Sequence, residues 1–398
     1  PKGSLRATAY GFKYALNLIS NFTYFLEDPV NGDQFEQEDR RTVFGGRVVY
    51  RRLSDFFEKH VESAVGVQLR HDAIGNTALY KTVRGRRIGT VRADDVSETL
   101  TGFYGQSEIE WGRKLRTTVG FRGDVLRYNV DSSNPLNSGD GTNSIVSPKF
   151  TAVLGPWAQT EFYINAGTGF HSNDVRGATL TVDPKTGEPA DSLTPLVRAR
   201  GAELGVRTVR VKGLQSTVSL WYLGFDSELL FIGDAGITEA SRPSRRLGLE
   251  WTNYARLKPW LTTELDLSFS RARFTNDDPV GAHIPGALDR VISGAVTVEP
   301  DRRLFGSIRV RHFGPRPLVE DASVNSESTT IWNGEVGYNL SDRMRLTVEA
   351  FNLLDSKVSD IDYYYTSRLP GEPAEGVDDI HLHPSLPRSA RVTLHFAF

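Results

Sequence analysis

The sequence contains no cysteine among its 398 residues. This absence excludes a disulfide framework and any metal site built on thiolate ligands. The sequence also lacks an apolar run of the roughly 18 to 20 residues that a membrane-spanning helix needs. Its mean hydropathy of -0.34 is likewise too low for a bundle of membrane helices, so that class of protein is excluded.

An excess of charge of one sign is missing as well, because 47 Lys and Arg nearly balance 49 Asp and Glu. We therefore expect no nucleic-acid partner. The chain is longer than one ordinary domain, although a single large barrel would account for its length.

What the sequence has is a series of segments in which apolar and polar residues alternate. In the first segment the apolar residues occupy even positions from Tyr10 to Leu26. A period of two is typical of a β-strand, and this strand is far longer than those of soluble proteins. The alternation predicts about 16 strands. Their approximate ranges are 5–26, 39–52, 60–71, 95–111, 114–128, 147–154, 159–171, 196–211, 214–226, 243–256, 260–274, 286–299, 302–313, 327–340, 342–352 and 387–398.

The connections between these strands alternate between short and long. Short connections lie at 112–114, 211–213, 257–259, 299–302 and 340–342. Long connections are predicted at 72–94, 172–195, 226–244 and 356–387. Tight turns at one end and long loops at the other are typical of a transmembrane, antiparallel, up-and-down β-barrel. An even number of strands would place both termini on the side of the tight turns, which is the periplasm in such barrels.

Charged residues on the polar side of the later strands favour a water-filled lumen over a soluble sandwich. The residues concerned are Arg303, Arg309, Arg311, Arg343, Arg345 and Glu349.

The last strand has one apolar face and ends on an aromatic residue. Val392, Leu394, Phe396 and Phe398 lie at alternate positions of this strand. An apolar terminal strand is unusual in a soluble protein, because it would be an exposed edge. This strand resembles the C-terminal assembly signal of bacterial outer-membrane barrels.

Four segments extend this resemblance to one family. They are Glu349–Asp355 (EAFNLLD), His383–Ser389 (HPSLPRS), Gly169–Gly177 (GFHSNDVRG) and Arg200–Gly205 (RGAELG). Because these segments occur in this order and at this spacing, the chain resembles the TonB-dependent receptor family over essentially its whole length.

This resemblance implies a barrel of about 22 strands, with an N-terminal plug domain and a TonB-binding box before it. We find no plug-like segment and no such box, and we expect residues 1–398 to be the C-terminal part of the barrel. The implied function is TonB-dependent uptake of a scarce ligand, such as a ferric siderophore, across the bacterial outer membrane. The long loops would be extracellular and the termini periplasmic.

The implied partners are outer-membrane lipid, the barrel assembly machinery through the last strand, TonB with its energy complex, and a small-molecule ligand. The resemblance implies neither a cofactor nor an enzymatic activity. The loops, which carry specificity, do not reveal the substrate.

Two groups of polar residues are candidates for ligand contact at the extracellular rim. The first consists of His171, Asn173, Asp174 and Arg176. The run His171-Ser172-Asn173-Asp174 contains hydrolase residue types. Neighbours in such a run point to different faces and do not form a triad, so we expect no catalysis.

The second group consists of His381 and His383 in the last long loop. A His-x-His pair on a strand places both rings on one face, where nearby carboxylates would complete a metal site. A polar loop without a metal is the plainer interpretation, and we expect ligand contact and not a bound metal.

One alternative remains open from the sequence. About 16 strands would also close into a porin-like passive diffusion channel. Direct pairing of strand 5–26 with strand 387–398 would support this alternative, because a closed barrel has no free edges. Part of a larger barrel would leave these two strands unpaired with each other.

Overall fold

The computed structural model describes residues 3–232 and 237–397 of the chain. It contains 20 β-strands in these residues. They are β1 (Gly3–Ser20), β2 (Phe35–Phe56), β3 (Lys59–Val83), β4 (Arg86–Gly112), β5 (Leu115–Ser132), β6 (Gly139–Trp157), β7 (Thr160–Ser172), β8 (Leu196–Thr208), β9 (Leu214–Phe225), β10 (Leu229–Ile232), β11 (Ile237–Ala240), β12 (Ser244–Lys258), β13 (Leu261–Phe274), β14 (Arg290–Val298), β15 (Leu304–Phe313), β16 (Thr329–Ser341), β17 (Met344–Phe351), β18 (Ser359–Ser367), β19 (Val377–Pro384) and β20 (Ser389–Phe396).

Sixteen of these strands form one antiparallel sheet, in which nearly every strand pairs with its neighbours in the sequence. The prediction of about 16 strands, made from the alternation of apolar and polar residues, is confirmed. The other four strands form two hairpins, β10–β11 and β18–β19, inside loops that were predicted to lack strands. A helical turn, α1 (Val175–Ala178), lies in the loop between β7 and β8.

The edges of the sheet are β1 and β20. Within the described residues β1 pairs with β2 alone and β20 pairs with β17 alone. The two strands are therefore not paired with each other, as expected for the family barrel. The pairing that the porin alternative predicts is not present in this part of the chain.

One predicted connection is wrong. Residues 72–94 were predicted to be a long loop, but β3 and β4 continue through them as one long hairpin. Its two-residue turn consists of Arg84 and Gly85, which both have positive φ, as hairpin turns of this length require. Three register shifts interrupt the pairing between Ile74 and Thr82, and each shift breaks the period of two on which the prediction rests.

The register assigns each residue to a face of the sheet, because directly paired residues point to the same side. A row of paired, exposed apolar residues crosses β8, β9 and β12 through Leu204, Leu220 and Leu249. We call this side the outer face. The opposite, inner face carries Arg309, Arg345 and Glu349, and Glu349 pairs with Arg391.

The apolar positions of β1 lie on the inner face, which the alternation alone does not reveal. Phe12 pairs with Val43, and Val43 pairs with Asp72, a buried residue of the charged face. The inner face also carries most of a buried apolar cluster, namely Ile74, Val96, Leu126, Val130 and Ile145. Val175 and Leu196, at the two ends of the loop between β7 and β8, complete it. Because Val175 belongs to α1, this cluster fixes the loop between β7 and β8 against the sheet.

Candidate functional site

The loop between β7 and β8 begins with a buried asparagine. The backbone N–H of Asn173 donates to the carbonyl oxygen of Pro195 at 2.8 Å. Its side-chain Nδ2 donates to the carbonyl oxygen of Thr194, also at 2.8 Å. These two bonds join the beginning and the end of the loop. Asn173 is itself buried and does not reach the surface of the loop. His171 is near the end of β7, and the centroid of its ring is 5.6 Å from that of the Phe225 ring.

Asp174 and Arg176 form the start of α1. The carboxylate of Asp174 accepts a hydrogen bond from the backbone N–H of Arg176 at 2.9 Å, which is typical N-capping. The same carboxylate forms an ion pair with the Arg176 guanidinium at 2.6 Å. Burial raises the pKa of Asp174, but the charge and hydrogen bonds of Arg176 lower it more, and the resulting pKa lies below its usual value. The carboxylate is therefore ionised at neutral pH.

Arg176 also connects the loop to the inner face of the sheet. Its Nη1 lies 3.6 Å from Oδ2 of Asp94 on β4. From the same strand, Arg92 forms an ion pair with Asp94 and donates to the backbone oxygen of Arg176 at 3.2 Å. The first predicted group is thus brought together at one place. Asp174 and Arg176 bind other groups of the protein, whereas the buried Nε2 of His171 and Oδ1 of Asn173 have no hydrogen-bond partner within the described residues.

The sequence analysis missed the buried carboxylates of this face. Asp72, Asp94 and Asp124 are each at most 2% exposed. Each forms an ion pair with an arginine two residues earlier on its own strand. These pairs are Arg70–Asp72, Arg92–Asp94 and Arg122–Asp124. The signal was the repeated Arg-x-Asp spacing, since residues two apart on a strand share a face.

The second predicted group lies on the hairpin β18–β19. The His381 ring stacks on the Tyr365 ring at 3.8 Å between centroids, and Tyr24 of the first loop lies 5.9 Å away. Nδ1 of His383 is 3.8 Å from Oδ2 of Asp360. These aromatic residues line a cavity of about 430 Å³, and the buried Nε2 of His381 has no hydrogen-bond partner within the described residues.

The two predicted groups are in different loops, and within the described part of the chain no hydrogen bond, ion pair or ring contact joins them directly. Ion pairs connect neighbouring loops, and one of them joins Lys185 of the loop after β7 to Glu27 of the loop after β1 at 2.6 Å. Arg316 likewise reaches Asp362 of β18 at 2.8 Å. In residues 3–232 and 237–397 no group of three or more His, Asp or Glu is arranged to hold a metal ion.

The apolar residues of the last strand lie on the outer face. Val392 pairs with Val348, which in turn pairs with the exposed Val336. Leu394 and Phe396 follow on the same face. Phe398, the fourth residue of the predicted assembly signal, lies outside the described residues. No helix in the part of the chain that the structure describes has the length and apolar character to span a membrane.

Comparison with known proteins gives one family. A family model described as "TonB dependent receptor-like, beta-barrel" matches residues 3–353. No curated protein sequence matches the chain.

Several solved structures share the fold. The ferric-catecholate import receptor Fiu of E. coli K12, in its closed form, is 13% identical with a TM-score of 0.75, and the match covers 100% of this chain and 62% of Fiu. The ferric yersiniabactin uptake receptor FyuA of Yersinia pestis is 15% identical with a TM-score of 0.72, covering 100% of this chain and 58% of FyuA. The copper transporter OprC is 13% identical with a TM-score of 0.75, covering 99% of this chain and 63% of OprC. The chain therefore spans less than two thirds of the length of each.

Proposed function

The chain belongs to the TonB-dependent receptor-like β-barrel family, and we propose that it is the barrel part of a receptor for nutrient uptake. The proposed receptor lies in the bacterial outer membrane and takes up a scarce ligand, such as a ferric siderophore, with energy supplied through TonB. In this proposal residues 1–398 form the C-terminal part of the barrel, and a plug domain and a TonB box belong to the intact receptor.

The observation that carries the proposal is the sheet itself. Its 16 antiparallel strands have an apolar outer face, a charged inner face and long connections at one end only. An apolar outer face suits lipid, whereas a charged inner face suits a wet lumen. The receptors that share this fold include importers of ferric siderophores, and their ligand class supports the one proposed here.

We place the ligand at the end of the barrel that bears the long loops, which would then be extracellular. The candidate contacts are His171, Asn173, Asp174, Arg176, His381 and His383. His381 and His383 are the stronger candidates, because they line an aromatic cavity beside Tyr24 and Tyr365. The buried Asn173 and the paired Asp174 and Arg176 instead shape the loop that surrounds the ligand.

The partners of the intact receptor follow from the same proposal. Outer-membrane lipid would contact the outer face, and the barrel assembly machinery would recognise Val392, Leu394 and Phe396 on the last strand. The termini would lie in the periplasm, where TonB and its energy complex would act on the plug. The family is one of transport receptors, and we propose no catalytic activity.

Uptake by living cells tests this function. We would express the complete gene that encodes this chain in iron-starved bacteria and measure the uptake of radioactive iron from a panel of ferric siderophores. The proposal predicts that at least one siderophore is taken up, and that uptake stops in a matched strain without TonB. Uptake that continues unchanged without TonB would contradict the proposal and support a passive channel.

A further inference from the structure

Arginines are concentrated on the outer face of the sheet, where three adjacent strands reach the long loops. Arg245 is near the start of β12, Arg271 and Arg273 are near the end of β13, and Arg290 is the first residue of β14. We call these four residues the arginine cluster. The tight turns join the opposite ends of the same strands, so in the proposed receptor the cluster is on the extracellular side.

The register of the sheet places all four arginines on the outer face. Arg290 pairs with Phe269, which in turn pairs with Leu249 of the apolar row that defines this face. The two arginines of β13 follow Phe269 at steps of two residues, so their side chains point to the same side. Arg245 pairs directly with Arg273 across the sheet.

Like charges are therefore close together in this cluster. Directly paired residues such as Arg245 and Arg273 have Cβ atoms about 4.5 to 5.5 Å apart. Arg271 is two residues from Arg273, roughly 6.6 Å along the strand, and it is the diagonal neighbour of Arg290 across the sheet. Like charges in such positions destabilise a sheet, and an anion bound between them would relieve the repulsion.

The acidic residues of these three strands are all on the opposite face. They are Glu250, Glu264 and Asp266, and each is next to an outward residue of its own strand. Glu264 pairs with Arg309 on the inner face at 3.2 Å. The outward positions of β12, β13 and β14, which the structure describes completely, thus carry no negative charge.

The protein itself neutralises little of this positive charge. Arg245 and Arg271 form no ion pair and no side-chain hydrogen bond with the residues that the structure describes. Arg273 donates to the backbone oxygen of Ala272 at 2.7 Å, which is a neutral acceptor. Arg290 is 3.6 Å from Asp289, but both side chains are about half exposed, so this pair is weak.

The cluster also lies away from any further part of the proposed receptor. Within the sheet, β12, β13 and β14 each have a neighbouring strand on both sides. Their outer face points away from the lumen, where the proposed plug would be. The molecules that contact the cluster are therefore those of the surrounding membrane and solvent.

An apolar belt borders the cluster on the side of the tight turns. On β13 the outward residues that come directly before Arg271 are Leu265, Leu267 and Phe269. An outward apolar band of this kind is the part of a barrel that faces hydrocarbon. The arginines are therefore at the boundary between hydrocarbon and lipid headgroups, where a charged side chain costs little.

A tyrosine marks the same height on the neighbouring strand. Tyr222 of β9 pairs with Leu247 and is on the outer face. Its hydroxyl lies over Gly224, since a Cβ atom at Gly224 would stand 2.7 Å from Oη of Tyr222. Gly224 pairs with Arg245, so this hydroxyl is level with the cluster. Tyrosines are enriched at this boundary, with the ring in the apolar layer and the hydroxyl among the headgroups.

We propose that the arginine cluster binds the phosphate groups on the headgroup of an outer-leaflet lipid. Guanidinium groups bind phosphate through two parallel hydrogen bonds, and several of them around one headgroup suit a lipid with more than one phosphate. The acyl chains of the same lipid would lie along the apolar belt, through residues such as Leu247 and Phe269. This inference rests on the proposed function, since it requires the outer face to be in the outer membrane.

Binding of lipid A, a bisphosphorylated lipid, to the purified intact receptor tests the site. The receptor would be produced from the complete gene that encodes this chain and titrated with lipid A in a neutral detergent, with bound lipid counted by native mass spectrometry. The double substitution Arg245→Gln and Arg271→Gln should weaken binding on the order of 10-fold or more, since it removes two charge-assisted donors. Monophosphoryl lipid A should bind the original receptor more weakly than lipid A does. Inorganic phosphate at the concentration of the lipid should not displace it, because free phosphate has no acyl chains to contact the apolar belt.

The matched control is Arg309→Gln, which removes an arginine from the inner face of the same part of the sheet. Lipid A should bind this variant as it binds the original receptor, and circular dichroism should show that all variants are folded. Equal affinity of the original receptor and the double variant for lipid A would overturn the site. Displacement of lipid A by an equal concentration of inorganic phosphate would overturn a lipid as its occupant. Both results would leave the receptor proposal standing, because TonB-dependent uptake is measured separately in cells.

Discussion

Arg176, in the loop after β7, places its Nη1 3.6 Å from Oδ2 of Asp94, whose side chain is completely buried on β4. The contact joins an extended loop to the wall of the sheet. Beside it, Val175 inserts into the apolar cluster of the inner face. The loop is therefore held by a charge pair and an apolar anchor together.

Replacing Arg176 should release this loop. In Arg176→Ala the buried Asp94 retains only Arg92 as a partner, and a buried charge that loses a partner is costly. We expect a loss of about 1 to 3 kcal/mol in unfolding free energy and faster proteolytic cleavage within residues 173–195. The control is Arg200→Ala, because Arg200 and its partner Asp226 are both about half exposed, and it should cost about 0 to 1 kcal/mol. Equal cleavage of the two variants would contradict the anchoring role.

The hairpin β18–β19 should loosen as the pH falls. Burial lowers the pKa of His381 below its usual value, while a bond to the Tyr365 backbone and the charge of Asp379 oppose this shift. The folded hairpin therefore binds fewer protons than the unfolded one. The stability that neutral His381 gives to the folded hairpin is fully present above about pH 6.5. It is lost as the pH falls through the lower pKa of His381 in the folded state. Hydrogen exchange of residues 359–384 measured between neutral and mildly acidic pH should show the change.

His381→Phe is the matched variant, since it retains a ring that can stack on Tyr365 but cannot be protonated. Its hairpin should exchange at a rate that varies less with pH than that of the original chain. The same pH dependence in both proteins would rule out His381 as the titrating group.

The assignment of faces predicts unequal losses of stability at neighbouring positions of β16. Val336 is 57% exposed on the outer face, whereas Glu335 pairs with Glu349 on the inner face. In lipid vesicles Val336→Arg should destabilise the protein by up to about 2 to 4 kcal/mol, because it moves a charge into hydrocarbon. Glu335→Arg should cost much less, since it gains Glu349 as a partner. Unfolding by guanidinium, followed by tryptophan fluorescence, measures both, and a larger loss for Glu335→Arg would reverse the assignment.

The sequence predicted the strands best where they bear the apolar outer face. Alternation through Leu261, Leu265 and Phe269 marked β13 to within one residue of its observed ends. The first strand was predicted to extend to residue 26 but ends at Ser20, and the loop that follows contains Tyr24 with a positive φ of 59°. The hairpins β10–β11 and β18–β19 were missed, because their sequences show little apolar alternation.

The candidate site was predictable only in part. The local groups around Asp174 and His381 were found because their residues are adjacent in the sequence. Their environments depend on contacts between distant strands and loops, such as Arg176 with Asp94 or His381 with Tyr24, which no local pattern encodes.

The most direct test of the account is the accessibility of the two ends of the sheet in living cells. The chain has no cysteine, so a single one can be introduced without background. Glu188→Cys is in the long loop after β7, and Lys212→Cys is in the tight turn after β8; both positions are exposed. The account predicts that a membrane-impermeant maleimide labels the cysteine at position 188 on intact cells. It predicts that the cysteine at position 212 is labelled only after the outer membrane is opened. Labelling of position 212 but not 188 on intact cells, or of neither position before the cells are broken, would contradict an outer-membrane barrel with its long loops outside.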